Sequence, residues 1–417
     1  LETTVPSAEA LKRAAARYLD LHAHPELSGA ERRTAARFAE ALAEAGYEVT
    51  TGLGGHGVAA VLRNGPGPVV ALRAELDALP VAERTGLPYA STATAELPDG
   101  RRVPVAHACG HDVHLACAAE VAAALAERRA EWSGTVLVLG QPAEETLAGA
   151  RAMLAEGLYR RVGAPSVVLA QHTVPLPAGM LAHVRGPVTA GSRTLRVVVH
   201  GRGGHAGAPQ LAVSPLPGAA AIVLRLGEAA RPGAVLTVAS LLAGDGTGNV
   251  IPDRASLTVT VRAFEEGELT RAVAELRVVA EAEAAATGCT ATVEQLSASV
   301  VNRPDPGLAE TVRAAHLALF GPQRVAEWPP LTATEDFPLF GPAGEELHGV
   351  PGIRTAYWLL GMVGPEQWAA TPGAGPAEKL AALPANHSPE FRPHLGLTLR
   401  TGIAALYTAA LSCLNGD

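Results

Sequence analysis

The sequence predicts an α/β catalytic domain with a mostly parallel sheet, interrupted by an inserted α+β domain. Three observations predict it. Strand-length apolar segments alternate with helix-length segments through residues 1–186 and again through 301–417, the pattern of a layered parallel sheet. Residues 187–300 instead run strand-helix-strand-strand-helix-strand, the split βαβ order of a compact α+β unit. At 417 residues the chain also exceeds what one ordinary core accommodates. The expected domains are therefore 1–186 (catalytic, first part), 187–300 (insert) and 301–417 (catalytic, second part).

Taken in order, residues 8–22 read as a helix. Ser28-Gly29-Ala30-Glu31 has the form of a capping box and predicts a second helix to Ala45, stopped by Gly46. Strands are expected at 58–62 and 69–72. A helix should follow Cys109-Gly110-His111 and run to about Arg128. A strand at 135–139, a helix at 147–156 stopped by Gly157, and a strand at 166–170 complete the first part. In the insert, strands are expected at 194–200, 235–241, 256–263 and 289–296, with helices at 215–227 and 268–285. After Pro304 come a helix to Phe320, a strand at 355–360 and a last helix at 395–414. Residues 371–383, rich in Ala, Pro and Gly, read as a mobile loop.

Composition excludes several classes of function. A hydrophobic share of 48% with 18% charged residues is a globular profile. The formal charge of -8 argues against nucleic acid or an anionic membrane as partner. Lys12 and Lys379 are the only lysines, and neither sits in a phosphate-binding loop or a context suited to a Schiff base. Cys109, Cys117, Cys289 and Cys413 are too few and too dispersed for a disulfide framework. No basic leader and no apolar run of bilayer length is expected, so a cytoplasmic location is the default.

The chemistry concentrates at expected strand ends, where open α/β sheets bind ligands. Ala108-Cys109-Gly110-His111-Asp112-Val113-His114 sets a thiol, two imidazoles and a carboxylate at a loop-to-helix junction. Alone it suits either a zinc-like site or a buried thiol beside ordinary histidines. Matching donors recur: Glu75 and Asp77 after one strand, Glu144 and Glu145 after another, and His172 after a third. His387 lies in a loop before the last helix. Of two adjacent carboxylates, one can bind metal while the other moves a proton. Asp77 could orient a ligating imidazole, or be a simple turn residue. Gly201-Arg202-Gly203-Gly204-His205-Ala206-Gly207 has imperfect spacing for a dinucleotide loop. It suits close backbone approach to a substrate, with His205 as donor.

At this point the chain resembles the M20 metallopeptidase family, in its amidohydrolase branch of aminoacylase-like, hippurate-hydrolase-like and auxin-conjugate-hydrolase-like enzymes. The resemblance rests on an ordered set of motifs. They are His22-Ala23-His24-Pro25-Glu26-Leu27-Ser28, Arg73-Ala74-Glu75-Leu76-Asp77-Ala78-Leu79-Pro80, Gly86-Leu87-Pro88-Tyr89 and His107-Ala108-Cys109-Gly110-His111-Asp112. Gln141-Pro142-Ala143-Glu144-Glu145, Gly203-Gly204-His205-Ala206, Asn249-Val250-Ile251-Pro252, Glu335-Asp336-Phe337 and His387-Ser388-Pro389-Glu390-Phe391 follow.

The resemblance implies that Cys109, His111, Glu145, His172 and His387 hold two divalent metal ions per subunit, zinc first, with manganese, nickel or cobalt as alternatives. It implies Glu144 as general base, Asp77 as a supporting catalytic carboxylate, and His205 as oxyanion donor, reaching a neighbouring subunit in many relatives. Asn249 and Arg262 would contact substrate polar groups, and the insert would serve as lid and homodimerisation module. The implied reaction is cleavage of the amide bond of a small N-acyl amino acid or related conjugate by a metal-bound hydroxide. A dipeptidase or carboxypeptidase of the same mechanism is the alternative. Glu75 stands where aspartate is common, Gln210 and Ser214 replace a usual histidine and aspartate, and Gln171 and Thr173 are less usual neighbours for His172. Two other classes are weighed: a thiol hydrolase using Cys109 with His111, disfavoured because such pairs are distant in sequence, and a non-catalytic metalloprotein, disfavoured by the spare carboxylate of Glu144.

Overall fold

The structure is a computed structural model that describes residues 5–228 and 233–415. The outer domain limits at residues 1 and 417 lie outside the described residues. The chain divides into two compact units, one of Leu1–Val188, Pro304–Pro329 and Asp336–Asp417, the other of Thr189–Arg303 and Pro330–Glu335.

The first unit is α/β, as expected. Its sheet has the order Glu48–Leu53, Gly57–Asn64, Gly134–Gln141, Val69–Glu75, Val167–Pro177, Arg354–Val363, Leu181–His183, Val325–Glu327. The four central strands are parallel. Glu48–Leu53 and Gly57–Asn64 join antiparallel at one side, and Leu181–His183 runs antiparallel to Arg354–Val363. Parallel strands covered on both faces need near-continuous apolar sequence, and Val69–Glu75 is buried from its second residue on. Glu48–Leu53 has no apolar pattern and Leu181–His183 and Val325–Glu327 are three residues each, so sequence periodicity did not reveal them.

His111–Glu127 is buried almost all round, which its run of alanines permits. It packs against Leu395–Leu414 and Ala8–Ala23. Contrary to expectation, Leu395–Leu414 is long and apolar enough by length and composition to cross a membrane, but it is mostly buried as a core helix of this unit.

The expected capping box does not form. The helix is Arg32–Glu44, with Glu31 at its N-cap making no side-chain cap. The Ser28 hydroxyl donates instead to Asp77 Oδ2 at 2.7 Å, and Glu31 Oε1 accepts from the backbone N–H groups of Gly29 and Ala143. Glu26 takes over the cap, accepting from Arg33 N–H (3.1 Å) and Thr34 N–H (2.8 Å). A long carboxylate six residues before the helix satisfies the orphan donors that Ser28 was expected to meet.

Residues 371–383 are not all loop: Pro376–Ala382 is helical and follows the helix Pro365–Ala370. Lys379 Nζ donates to the carbonyls of Trp368 (2.8 Å) and Thr371 (2.7 Å), closing the C-terminus of that preceding helix. The expected helix at 147–156 is shorter, Gly149–Ala155, because Leu147 takes a left-handed φ of 56°.

The second unit follows the strand-helix-strand-strand-helix-strand order. Its antiparallel sheet runs Ala234–Ala243, Arg254–Ala263, Gly191–His200, Thr290–Ser299. Helices Leu216–Glu228 and Glu266–Ala286 pack on the strand residues Leu195, Val197, Leu257 and Val259. Burial alternates along Arg254–Ala263, as a one-sided sheet requires. The short segment Pro330–Glu335 joins this unit through bridges and bonds from Thr189 and Ala190, a return of the chain without a sequence signal.

Candidate active site

The parallel strands deliver the donors. Val69–Glu75 ends at Glu75, two residues before Asp77, and Gly134–Gln141 ends three residues before Glu144. His172 departs from expectation: its strand continues to Pro177, so His172 lies inside it, opposite Leu359. Cys109 and His111 sit at the start of His111–Glu127, where Gly110 adopts φ 83°. A Cβ there would stand 2.3 Å from Thr173 Oγ1. His387 is held in a left-handed conformation (φ 71°), and its N–H donates to Ala108 carbonyl at 2.7 Å.

These residues converge. Cys109 Sγ is 3.6 Å from His172 Nε2. Glu145 Oε2 is 3.3 Å from His387 Nε2, and Glu145 Oε1 is 3.8 Å from His111 Nε2. Glu144 Oε2 also lies 3.8 Å from His111 Nε2, and its residue is buried. Asp77 binds the site together: its Oδ2 accepts from Glu145 N–H at 2.9 Å, and its carbonyl stands 2.9 Å from His111 Nδ1.

The tautomers follow from the acceptors. A carbonyl can only accept, so His111 donates from Nδ1 to Asp77, and His172 donates from Nδ1 to Thr173 carbonyl at 2.9 Å. Nε2 is therefore the atom each ring turns into the site, that of His172 against Cys109 Sγ, the arrangement that suits metal-ligating imidazoles. The buried atoms His111 Nε2 and Glu145 Oε1 have no hydrogen-bond partner. Two orphaned lone-pair donors 3.8 Å apart fit a shared cation. Tetrahedral zinc with sulfur at about 2.3 Å and nitrogen at about 2.0 Å puts those donors about 3.5 Å apart, close to the Cys109–His172 separation.

The electrostatics agree. Burial pushes the Cys109 thiol up, but His172, His111 and His387 outweigh it and hold the thiol well below its usual range. Burial and the Cys109 charge push the Glu145 carboxyl up to about 7, against His387 and His111. Contact with Cys109 and Glu145 lifts His387 to about 10. A buried thiolate and carboxylates beside imidazoles whose protons a metal can displace form a donor set chemically matched to divalent ions.

Not every donor nearby is available. Glu75, His111, His114 and His172 form a compact group, yet both His114 nitrogens are occupied. Nδ1 donates to Glu75 Oε2 at 2.7 Å and Nε2 accepts from Thr173 N–H at 2.9 Å. The other Glu75 oxygen pairs with Arg73. Arg73 also reaches Gln141 and Asp336, and Asp336 accepts from Gln141 and from Ala150 N–H. A second cluster lies at His22, whose Nδ1 is 2.7 Å from Asp112 and whose Nε2 is 3.0 Å from Glu83.

Sequence reasoning singled out Glu75 and His114 as donors but missed the partnerships that occupy them. Alternation along a strand puts Arg73 and Glu75 on one face, the only local signal for that pair. The partnerships of His22 and His114 span long sequence separations and leave no such mark.

The remaining candidates lie on the second unit. His205 is exposed in the two-residue strand Gly204–His205, paired with Val250–Ile251, and its Nδ1 accepts from Gly207 N–H at 2.9 Å. Asn249 is adjacent, its carbonyl accepting from Ala206 N–H. Both residues line an open cleft with Asp245 and Arg254. Arg262 is not part of that lining. It lies on Arg254–Ala263 and donates to Thr332 carbonyl at 2.6 Å.

Comparison with known proteins gives these residues a family context. The N-acetylcysteine deacetylase of Bacillus subtilis strain 168 is 38% identical over 286 residues, covering 65% of this chain and 70% of that protein. Thermostable carboxypeptidase 1 of Saccharolobus solfataricus is 30% identical over 386 residues, covering 89% and 88%. Among solved structures, the YXEP protein of Bacillus subtilis, described as a dinuclear metal binding peptidase of the M20 family, superposes with a TM-score of 0.74. It is 28% identical and the match covers 98% of this chain and 100% of that one. The sequence model of peptidase family M20/M25/M40 matches residues 71–381, and the chain belongs to that family.

Proposed function

We propose that this protein is a two-metal amidohydrolase that cleaves the amide bond of a small N-acyl amino acid or related conjugate. The observation that carries it is the pair of buried, unpartnered donors, His111 Nε2 and Glu145 Oε1, facing one another within a ring completed by Cys109, His172 and His387. These five residues are the proposed ligands, and the thiolate among them makes zinc the first choice of metal. Divalent ions held there supply Lewis acidity, which acidifies water and polarises an amide carbonyl.

The chain's own residues do the rest. Glu144 takes the proton of the attacking water and returns it to the leaving amine. Asp77 holds His111 in the tautomer that presents Nε2. For the second unit, the roles proposed are donation to the oxyanion by His205 and contacts to substrate polar groups by Asn249 and Arg262. The substrate class draws support from the deacetylase relative, and the carboxypeptidase relative makes dipeptides the comparison substrates. A homodimer formed through the insert is proposed from the apolar side chains Leu241, Leu242 and Leu224 that it exposes.

The test screens N-acyl amino acids against dipeptides with metal-reconstituted protein, reading free amine. Chelator should abolish turnover and added metal restore it. Chelator-resistant turnover would reassign the chemistry to the Cys109 thiol. Glu144→Ala should keep its metal and lose at least about a hundredfold in turnover, the scale of a general base. Near-normal turnover would remove Glu144 from that role.

A further inference from the structure

Thr173 is one of the residues in which this sequence departs from its family's usual pattern, and no catalytic role was expected of it. It is fully buried in the strand Val167–Pro177, directly after His172. Its hydroxyl donates to the carbonyl of Cys109 at 3.0 Å. Its carbonyl accepts from His172 Nδ1 at 2.9 Å and from Asn386 Nδ2 at 3.0 Å. One residue thus grips three chain segments that carry proposed ligands: Cys109, His172, and Asn386 with its neighbour His387.

Thr173 is itself held from behind. Its N–H donates to His114 Nε2, and His114 donates from Nδ1 to Glu75. Glu75 is fixed in turn by buried Arg73. The chain of bonds therefore runs Arg73, Glu75, His114, Thr173, His172, and it leaves His172 Nε2 turned toward Cys109.

The hydroxyl meets a specific need. Gly110 turns the backbone left-handed just after Cys109, and the Cys109 carbonyl takes the Thr173 hydroxyl as its donor. Asn386 approaches it only at 3.4 Å. The missing side chain of Gly110 leaves the room that the Thr173 hydroxyl fills.

We propose that Thr173, backed by the Glu75–His114 pair, is a positioning residue that sets the Cys109 thiol and the His172 imidazole at the separation a shared metal ion requires. The proposal rests on the two-metal reading above. Groups that orient ligands typically change metal affinity by about 10–100-fold when removed.

The test compares Thr173→Val, which keeps the shape and removes the hydroxyl, with Thr173→Ser, which keeps the hydroxyl. Apparent affinity is read by competition with a chromophoric chelator. Cobalt substitution supplies a second readout, the thiolate-to-cobalt charge-transfer band. Thr173→Val should bind metal at least about tenfold more weakly with a shifted or weakened band, and Thr173→Ser should match the unsubstituted protein in both. Unchanged affinity and band in Thr173→Val overturn the proposal. So does an equal loss in Thr173→Ser, which would trace the effect to the methyl group. If Thr173→Val does not fold, Thr173→Ala against Thr173→Ser is read by the same criteria. Failure of the unsubstituted protein to take up metal overturns the two-metal reading itself, whereas uptake that is indifferent to the hydroxyl overturns only the role of Thr173.

Discussion

At Gly110 two demands meet that only glycine satisfies. Its φ of 83° lies in the left-handed region, and its Cα faces Thr173 Oγ1 across a gap that a Cβ would close to 2.3 Å. Left-handed backbone costs an L-residue about 1–2 kcal/mol, before the collision is counted. Gly110→Ala should therefore lower stability by about 1–2 kcal/mol or more and, by displacing Thr173, reduce metal content below the full complement. Urea denaturation and elemental analysis check both, and full loading at unchanged stability would refute the tight fit.

The non-glycine residues with positive φ, among those described, are Ala143, Leu147 and His387. Two flank the Glu144-Glu145 pair and the third is a proposed ligand, so backbone strain gathers where function is proposed. Motifs beside expected strand or helix ends marked Cys109, His111, Glu144, Glu145, His172 and His387 as candidates, although His172 lies inside its strand. The supporting roles of Thr173 and Asn386 were not legible, because they act largely through main-chain bonds between distant segments.

At the scale of elements, the alternation of strand and helix was legible, and the carboxyl ends of parallel strands accounted for where most donors gather. Three misses share a cause: a local pattern was outcompeted by a partner outside it. Ser28 was drawn from its cap to Asp77, Glu31 went to Ala143, and Lys379 ordered a segment whose composition suggested a loop.

The edge strand Ala234–Ala243 carries the element-scale prediction. It pairs on one side only, with Arg254–Ala263, and it exposes Leu241 and Leu242. An unpaired apolar edge is a template for another chain, so a second copy is the proposed occupant. Leu242→Glu should shift the protein from dimer to monomer in light scattering coupled to gel filtration. A monomeric unsubstituted protein, or a dimer indifferent to the charge, would remove this edge as the interface.

Over the whole molecule, buried histidines outside the site govern how stability responds to pH, and they do so with opposite signs. Asp112 and Glu83 overcome burial and raise His22 to about 10, so its contribution is complete below its unfolded pKa of about 6.5 and is lost as pH rises through 10. His183 and His316 act the other way. His316 Nε2 donates to Ala405 carbonyl at 3.0 Å, so its Nδ1 must accept from His183 Nε2, also at 3.0 Å.

That pair ties Leu181–His183 to Pro306–Phe320 and to the last helix; it needs the Nδ1 lone pair of neutral His316, and burial keeps both rings neutral. Burial first, then Arg313 against the weaker opposing pull of Glu310, lowers His183 to about 4. Burial and His183 lower His316 to about 3. Above pH 6.5 both rings are neutral folded or unfolded, and their contribution is constant. Below it the unfolded chain takes up protons the folded chain refuses, so stability falls as pH falls.

At pH 5 the loss is about 2 kcal/mol for each histidine. Glutamine can donate from the position of Nε2 without titrating, so His183→Gln isolates one of the two. Urea midpoints at pH 7 and pH 5 should show the variant losing about 2 kcal/mol less than the unsubstituted protein. The proposed metal site is common to both proteins, and its own titration cancels in the difference. Parallel losses in the two would mean that the pair already takes up its proton in the folded state.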